Sequence, residues 1–228
     1  MIVRSTRSAA FFFAMLPAAT VMLLLAGCGG LKSNAVSEQL YVLRAAPAGA
    51  GGPRVEATLQ LLHPVAQPGL DTARIALVQP GNRLDYYAGG RWAGTLADVA
   101  ESLFVQTLRS SGRFSQVSSD AAGMGADFVL AVTLRRFEAE YAAAGAAPRV
   151  KLHLECTLSS SREHQQLAGF DIESAADADA NRLGSVVAAM ELAAQDAARQ
   201  LVVKSAELAA QALAAQKLAD EQRAAARK

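Results

Sequence analysis

Hydrophobic and polar positions alternate with a period of two from Val150 to Leu158. Val150, Leu152, Leu154, Cys156 and Leu158 share one side, and Lys151, His153, Glu155 and Thr157 share the other. That period predicts a strand with one buried and one solvated face. Ser159 to His164 turns the chain, and Gln166 to Glu173 returns as a partner strand with Ala168, Phe170 and Ile172 inward. Upstream, Ala126 to Tyr141 contains a stronger strand, and its stretch Phe128 to Leu134 is apolar on both faces, as in the centre of a sheet. Leu40 to Leu43, Thr58 to Val65, Ile75 to Val78 and Phe114 to Val117 are shorter strand candidates. Pro64 limits the second of these or places it at an edge, and Pro80-Gly81 stops the third. Arg83 to Trp92 reads as a hairpin: Leu84-Asp85-Tyr86-Tyr87 rises to a Gly89-Gly90 turn, and Arg91-Trp92 returns.

The period then changes to helical. Leu96, Val99, Ala100, Leu103, Thr107 and Leu108 fall on one face, Thr95 and Asp98 have capping-box spacing, and Gly112 marks the stop. From about Asn181 a second helix carries the stripe Leu183, Val186, Val187, Met190, Ala194, Ala197 and Leu201, suited to covering a sheet. Beyond Ser205, large apolar residues thin to Leu208, Leu213 and Leu218 within an Ala-, Gln-, Lys-, Glu- and Arg-rich run. Their spacing of five drifts around a helix and makes no heptad seam, so the helix should outrun the domain. Strands and helices together give an α/β chain with a long Ala-rich C-terminal helix.

The N-terminus follows a different pattern. Arg4 and Arg7 precede an apolar run from Ala9 to Leu25, and Leu25-Ala26-Gly27-Cys28 follows directly. A positive region, an apolar region and a small-residue processing site describe a secretory signal. The run is at the short end for a membrane span and is interrupted by Pro17 and Thr20. Ending on Cys, it resembles a bacterial lipobox. That resemblance implies cleavage before Cys28, lipid on its thiol and new amino group, and, with Gly29 and no Asp after it, export to the outer membrane. The chain divides into a signal (1–27), a lipidated Cys and tether (28–39), an α/β domain (40–204) and a helical extension (205–228).

Charge and candidate chemistry narrow the function by exclusion. The full chain holds 22 Lys+Arg and 21 Asp+Glu, so loss of Arg4 and Arg7 leaves it near −1. No basic cluster suits nucleic acid. With Cys28 lipidated, Cys156 has no partner for a disulfide and sits in the inward register as a buried thiol rather than a nucleophile. His63, His153 and His164 lie on separate segments without metal-ligand spacing. Ser110-Ser111 and Ser159-Ser160-Ser161 read as turn residues outside any Gly-x-Ser-x-Gly elbow. Glu138/Glu140 and Asp177/Asp179 read as solvated strand or loop ends, and Gly123-Met124-Gly125 is too short to cradle a phosphate. No catalytic, metal or cofactor site is expected beyond the covalent lipid. Tyr86, Tyr87 and Trp92 are the candidate partner-binding residues, since Tyr and Trp anchor interfaces. The competing assignment packs Trp92 under the helix that begins near Thr95.

The ordered set of motifs resembles the ABC-type transport auxiliary lipoprotein family over roughly Cys28 to Glu207. It runs from the lipobox and Tyr41-Val42-Leu43 through Arg74 to Val78, Arg83 to Tyr87 and Arg91-Trp92-Ala93. Leu103, Leu108, Gly112-Arg113-Phe114, Val117, Ala126 to Leu130, Arg136-Phe137-Glu138 and the hairpin at Lys151 to Leu158 complete it. The Ala-rich C-terminus and the glycine-rich loops depart from the family's pattern. The resemblance implies a mixed β-sheet flanked by helices, similar to the N-terminal domain of the Tol-system β-propeller protein and to anticodon-binding-like domains. It also implies a non-enzymatic, periplasm-facing outer-membrane lipoprotein. Such a protein works beside an ABC ATPase, a permease and an MCE-domain protein in lipid transport, docking to the MCE partner. A homo-oligomeric collar is compatible with this, although no residue pattern demands it. The alternative is a lipid-anchored regulator of envelope enzymes, such as a peptidoglycan-synthase activator. A lipid-anchored hydrolase lacks a catalytic constellation.

Overall fold

The computed structural model describes residues 38–46, 51–119, 125–163 and 165–227. The signal and Cys28 lie outside these residues, as do His164 and the Gly123-Met124 pair. In chain order the elements are β1 (Gln39–Tyr41), β2 (Val55–Leu61), β3 (Val65–Ala66), β4 (Arg74–Gln79), β5 (Arg83–Trp92), α1 (Leu96–Ser110), β6 (Phe114–Ser119), β7 (Phe128–Glu140), β8 (Arg149–Ser160), β9 (Gln165–Asp177) and α2 (Leu183–Ala226). The fold is the expected mixed α/β arrangement.

The sheet is organised around β7. Along one edge β7 pairs antiparallel with β8, which pairs antiparallel with β9. Its other edge takes three short parallel partners in succession: β2 (Leu59 opposite Phe128), β3 (Val65 opposite Thr133) and β4 (Leu77 opposite Ala139). Beyond them β2 pairs with β6, and β4 leads through β5 to β1. The inward residues of β7 and β8 face each other in register: Leu130 with Leu158, Val132 with Cys156, Leu134 with Leu154, Phe137 with Leu152. All are buried under α2, whose Val186, Met190, Ala194, Ala197 and Leu201 are also buried. Alanines on α2 let its backbone approach the sheet, and burial continues to Ala209. α1 packs against α2, β6 and β3.

Three expectations are corrected. The segment Arg83–Trp92 is one strand and not a hairpin turning at Gly89-Gly90. The reversal lies at Pro80-Gly81-Asn82, where Gly81 (φ +83°) and Asn82 (φ +59°) adopt left-handed backbone. The glycine pair sits instead where the β4–β5 register slips, and a side chain on Gly90 would stand 2.6 Å from Leu183 Cδ2. The strand expected from Thr58 to Val65 starts at Val55 and ends at Leu61; Pro64 falls between β2 and β3, and β2 is interior to the sheet. Finally, β7 is central but one-sided: Val129, Ala131 and Thr133 are only half-buried.

That second face carries an ion-pair ladder. A bulge between Leu134 and Arg136 adds one residue to β7. It returns Phe137 and Ala139 to the buried side and sends Glu138 and Glu140 to the other. Arg136 donates to Glu138 (2.6 Å) and Glu140 (2.7 Å), and Lys151 donates to Glu140 (2.8 Å). Arg135 pairs with Glu155, His153 with Asp171 (2.8 Å) and Arg149 with Asp177 (2.9 Å). Local grammar holds α1: Asp98 N donates to Thr95 Oγ1 (3.2 Å), and Thr95 N donates back to Asp98 Oδ2 (2.9 Å).

Two measurements check this account. Urea unfolding followed through the single tryptophan, buried Trp92, should show Thr95→Ala costing about 1 kcal/mol. Leu154→Ala should cost roughly 2–5 kcal/mol by the same readout. The second concerns pH. Hydrogen bonds from Lys151, then from Arg136, hold the Glu140 carboxyl below its ordinary value of 4.5. A carboxyl depressed by folding stabilises the fold when ionised, so the contribution is present above that value and lost as pH falls through the lower folded value. The urea midpoint of the wild type should therefore fall on acidification below about pH 4.5, and Glu140→Gln should make that fall shallower.

Candidate functional site

The edge where the N-terminal segment enters the domain is built by alternation. Tyr41 and Leu43 turn inward, while Leu40, Val42 and Arg44 turn outward. Tyr41 lies opposite Trp92 in the β1–β5 pairing, and Ala93 N donates to Tyr41 O (2.8 Å). Beyond β1, Arg44 N donates to Glu191 Oε1 (3.2 Å), its guanidinium pairs with the same carboxylate (3.1 Å), and Gln195 Nε2 donates to Arg44 O (2.8 Å). Glu38 pairs with Arg91 (3.1 Å). Residues 38–44 are thereby fastened both to β5 and to the N-terminal half of α2.

Tyr86, Tyr87 and Trp92 lie on the adjoining strand but do not form one patch. Trp92 is 1 % exposed and stacks on Phe137 with ring centroids 5.9 Å apart, so its ring offers nothing to a partner. Tyr86 is half-buried; its hydroxyl donates to Gly69 O (2.8 Å), and the Arg74 guanidinium lies 3.8 Å over its ring. Tyr87 reaches a different neighbour. Tyr141 donates to Asn181 Oδ1 (2.7 Å), which leaves Tyr87 to donate to the Tyr141 hydroxyl (2.7 Å). Burial first, then this hydrogen bond, pushes the Tyr87 hydroxyl well above the usual tyrosine range. This chain ties β5 to the end of β7 and to the turn before α2. Tyr141 and Asn181 escaped the sequence reading because neither belongs to a periodic pattern.

The remaining candidates are dispersed. Cys156 is buried, and desolvation, followed by the charges of Asp171 and Glu155, pushes its thiol up to about 12, so it stays protonated. His63 pairs with Glu101 (2.7 Å) on α1, and His153 belongs to the ion-pair ladder. Glu138, Glu140 and Asp177 are members of the same ladder. Among the described residues no group of three or more His, Cys, Asp or Glu is arranged to hold a metal ion, and no helix is long and apolar enough to cross a membrane.

Comparison with known proteins supplies the family. Protein XCC0632 of Xanthomonas campestris, described as DUF330, is 25% identical with a TM-score of 0.71, over 76% of this chain and 97% of that one. A second solved structure, of an uncharacterised protein, shares the fold at 14% identity and a TM-score of 0.58, over 74% of this chain and 98% of its own. No curated protein matches the chain. The family model for the ABC-type transport auxiliary lipoprotein component matches residues 41–202, from the fastened N-terminal edge to the buried centre of α2. The chain belongs to that family, whose members are lipoproteins auxiliary to transport systems and not a known enzyme family.

Proposed function

We propose that the protein is an outer-membrane-anchored periplasmic lipoprotein that serves an ABC/MCE-type lipid transport system and docks its folded domain to the MCE partner. The observation that carries this is the order of two features: the family match over residues 41–202 behind Leu25-Ala26-Gly27-Cys28. Cleavage before Cys28 leaves a cysteine whose thiol and amino group take lipid. One acyl chain gives only marginal, reversible binding, and a second signal makes anchoring stable, so a multiply acylated Cys28 holds the domain without a spanning helix. Gly29 follows in place of an inner-membrane retention Asp, which directs the protein to the outer membrane.

Anchoring contributes to docking through effective concentration. A domain held at the membrane meets a partner at that membrane without diffusing through the periplasm, which raises avidity without adding a contact. Tyr86 and Tyr87, half-exposed on β5, are separate candidate contacts for that partner, and buried Trp92 is not one.

Mass spectrometry of the full chain from membranes should find residues 1–27 removed and lipid on Cys28. Cys28→Ala should abolish the lipid and the outer-membrane fractionation. From detergent, the lipidated chain should copurify an MCE-domain protein. Recovery of the wild type with residue 1 in place and no lipid overturns the anchoring. Copurification of peptidoglycan synthases without any MCE-domain protein overturns the transport assignment.

A further inference from the structure

The tether-side edge exposes large apolar side chains that the fold leaves uncovered. Leu40 (59 %), Val42 (55 %) and Leu192 (60 %) are among the most exposed large hydrophobic residues described. Arg44 links them: it continues the outward row of Leu40 and Val42 and lines one groove with Leu192. Leu40 and Val42 alternate outward on the entering segment in line with Arg44. Arg44, Ala45, Ala188, Glu191 and Leu192 together line a shallow groove of about 480 Å³. The charges around these side chains are already occupied, Arg44 by Glu191 and Glu38 by Arg91. What the edge offers outward is therefore apolar surface.

Chain length limits what this edge can meet. Nine residues, 29–37, separate Cys28 from Glu38. Ten backbone steps span at most about 36 Å. If Cys28 carries lipid, the edge is held within that distance of the bilayer surface at all times. A patch of three side chains is far below the roughly 1,200–2,000 Å² that a stable protein–protein interface buries. A membrane requires no such area, because the acyl chains already supply the affinity and the patch only has to bias orientation.

We propose that Leu40, Val42 and Leu192 rest in the interfacial layer of the membrane that anchors Cys28, and so fix the orientation of the domain on a lipid surface. The inference rests on the lipidation of Cys28 proposed above. The apolar side chains make the contact and the neighbouring arginines are paired, so it does not require anionic lipid. It turns the outer end of α2 away from the bilayer: Glu191 lies at this edge, whereas Gln216 lies beside Glu163 at the β8–β9 turn, about 37 Å further along the helix axis.

The test uses the full, lipidated chain in phosphatidylethanolamine vesicles with and without phosphatidylglycerol. Single cysteines replace Leu40, Val42, Leu192 or the distant, exposed Leu218, and each carries a nitroxide; lipid occupies Cys28, and Cys156 is buried. Labels at 40, 42 and 192 should show a severalfold lower accessibility to a water-soluble nickel reagent than the label at 218, in both vesicle types. Equal accessibility at all four positions overturns the proposal, as does protection that appears only with anionic lipid. Spin–spin broadening at 42 or 192 that dilution with unlabelled protein removes would assign the patch to a second copy, and also overturns it. Mass spectrometry of the same samples separates the premise from the inference: lipid present with aqueous labels refutes the orientation alone, and lipid absent refutes both. Four independently labelled positions, each checked for native Trp92 emission, keep the result decisive if one variant fails to fold.

Discussion

A buried backbone must be hydrogen-bonded along its length, and β7 is where this constraint is most demanding. It runs for 13 residues with β8 on one side and three short parallel strands sharing the other. Backbone bonds from the connecting segments extend those pairings, as Leu62 N donates to Leu130 O, Gln67 N to Leu134 O and Tyr141 N to Val78 O. Each short strand is consequently placed by β7, and each brings its own attachments: β2 brings β6, while β4 brings β5 and β1. A one-residue slip on β7 would exchange its two faces, driving Glu138 and Glu140 under α2 and Leu134 and Phe137 into water. The extra residue at the bulge prevents this halfway along the strand.

The sequence made some of this legible because some interactions are local. Thr95 and Asp98 satisfy each other within one turn, so their capping arrangement is visible in a window of four residues. The alternation in β8 and the stripe on α2 are visible for the same reason. The Gly89-Gly90 pair was misleading because glycines mark turns, bulges and close approaches alike. Here Gly90 makes room for Leu183, a residue far away in sequence. The ion-pair ladder was half legible: the solvated face of β8 was evident, but its partners on β7 and β9 depend on a register that no single strand encodes. Trp92 and the tyrosines show the limit at the candidate site. Composition marks them as interface residues, whereas burial against Phe137 and bonding to Gly69 and Tyr141 are properties of the assembled sheet.

These contacts describe a domain that keeps its polar chemistry to itself. His63 and His153 are paired with carboxylates, the inward thiol is protonated, and Arg135, Arg136, Arg149 and Lys151 on its open face are each paired with a carboxylate. Such a surface suits a component that positions other molecules.

The single helix α2 has a mechanical consequence. Its 44 residues form a rod of about 66 Å, held against the sheet and its β8–β9 turn as far as Gln216, about three-quarters of its length. Near one end it holds residues 44 and 45; its other end extends past Gln216, which donates to Glu163, by about 15 Å. A load on that free tip is carried by helical hydrogen bonds in series, delivered to the sheet, and passed to the entering strand through Arg44 and Glu191. The helix therefore acts as a cantilever, and its length sets how far from the anchoring edge a force can be applied.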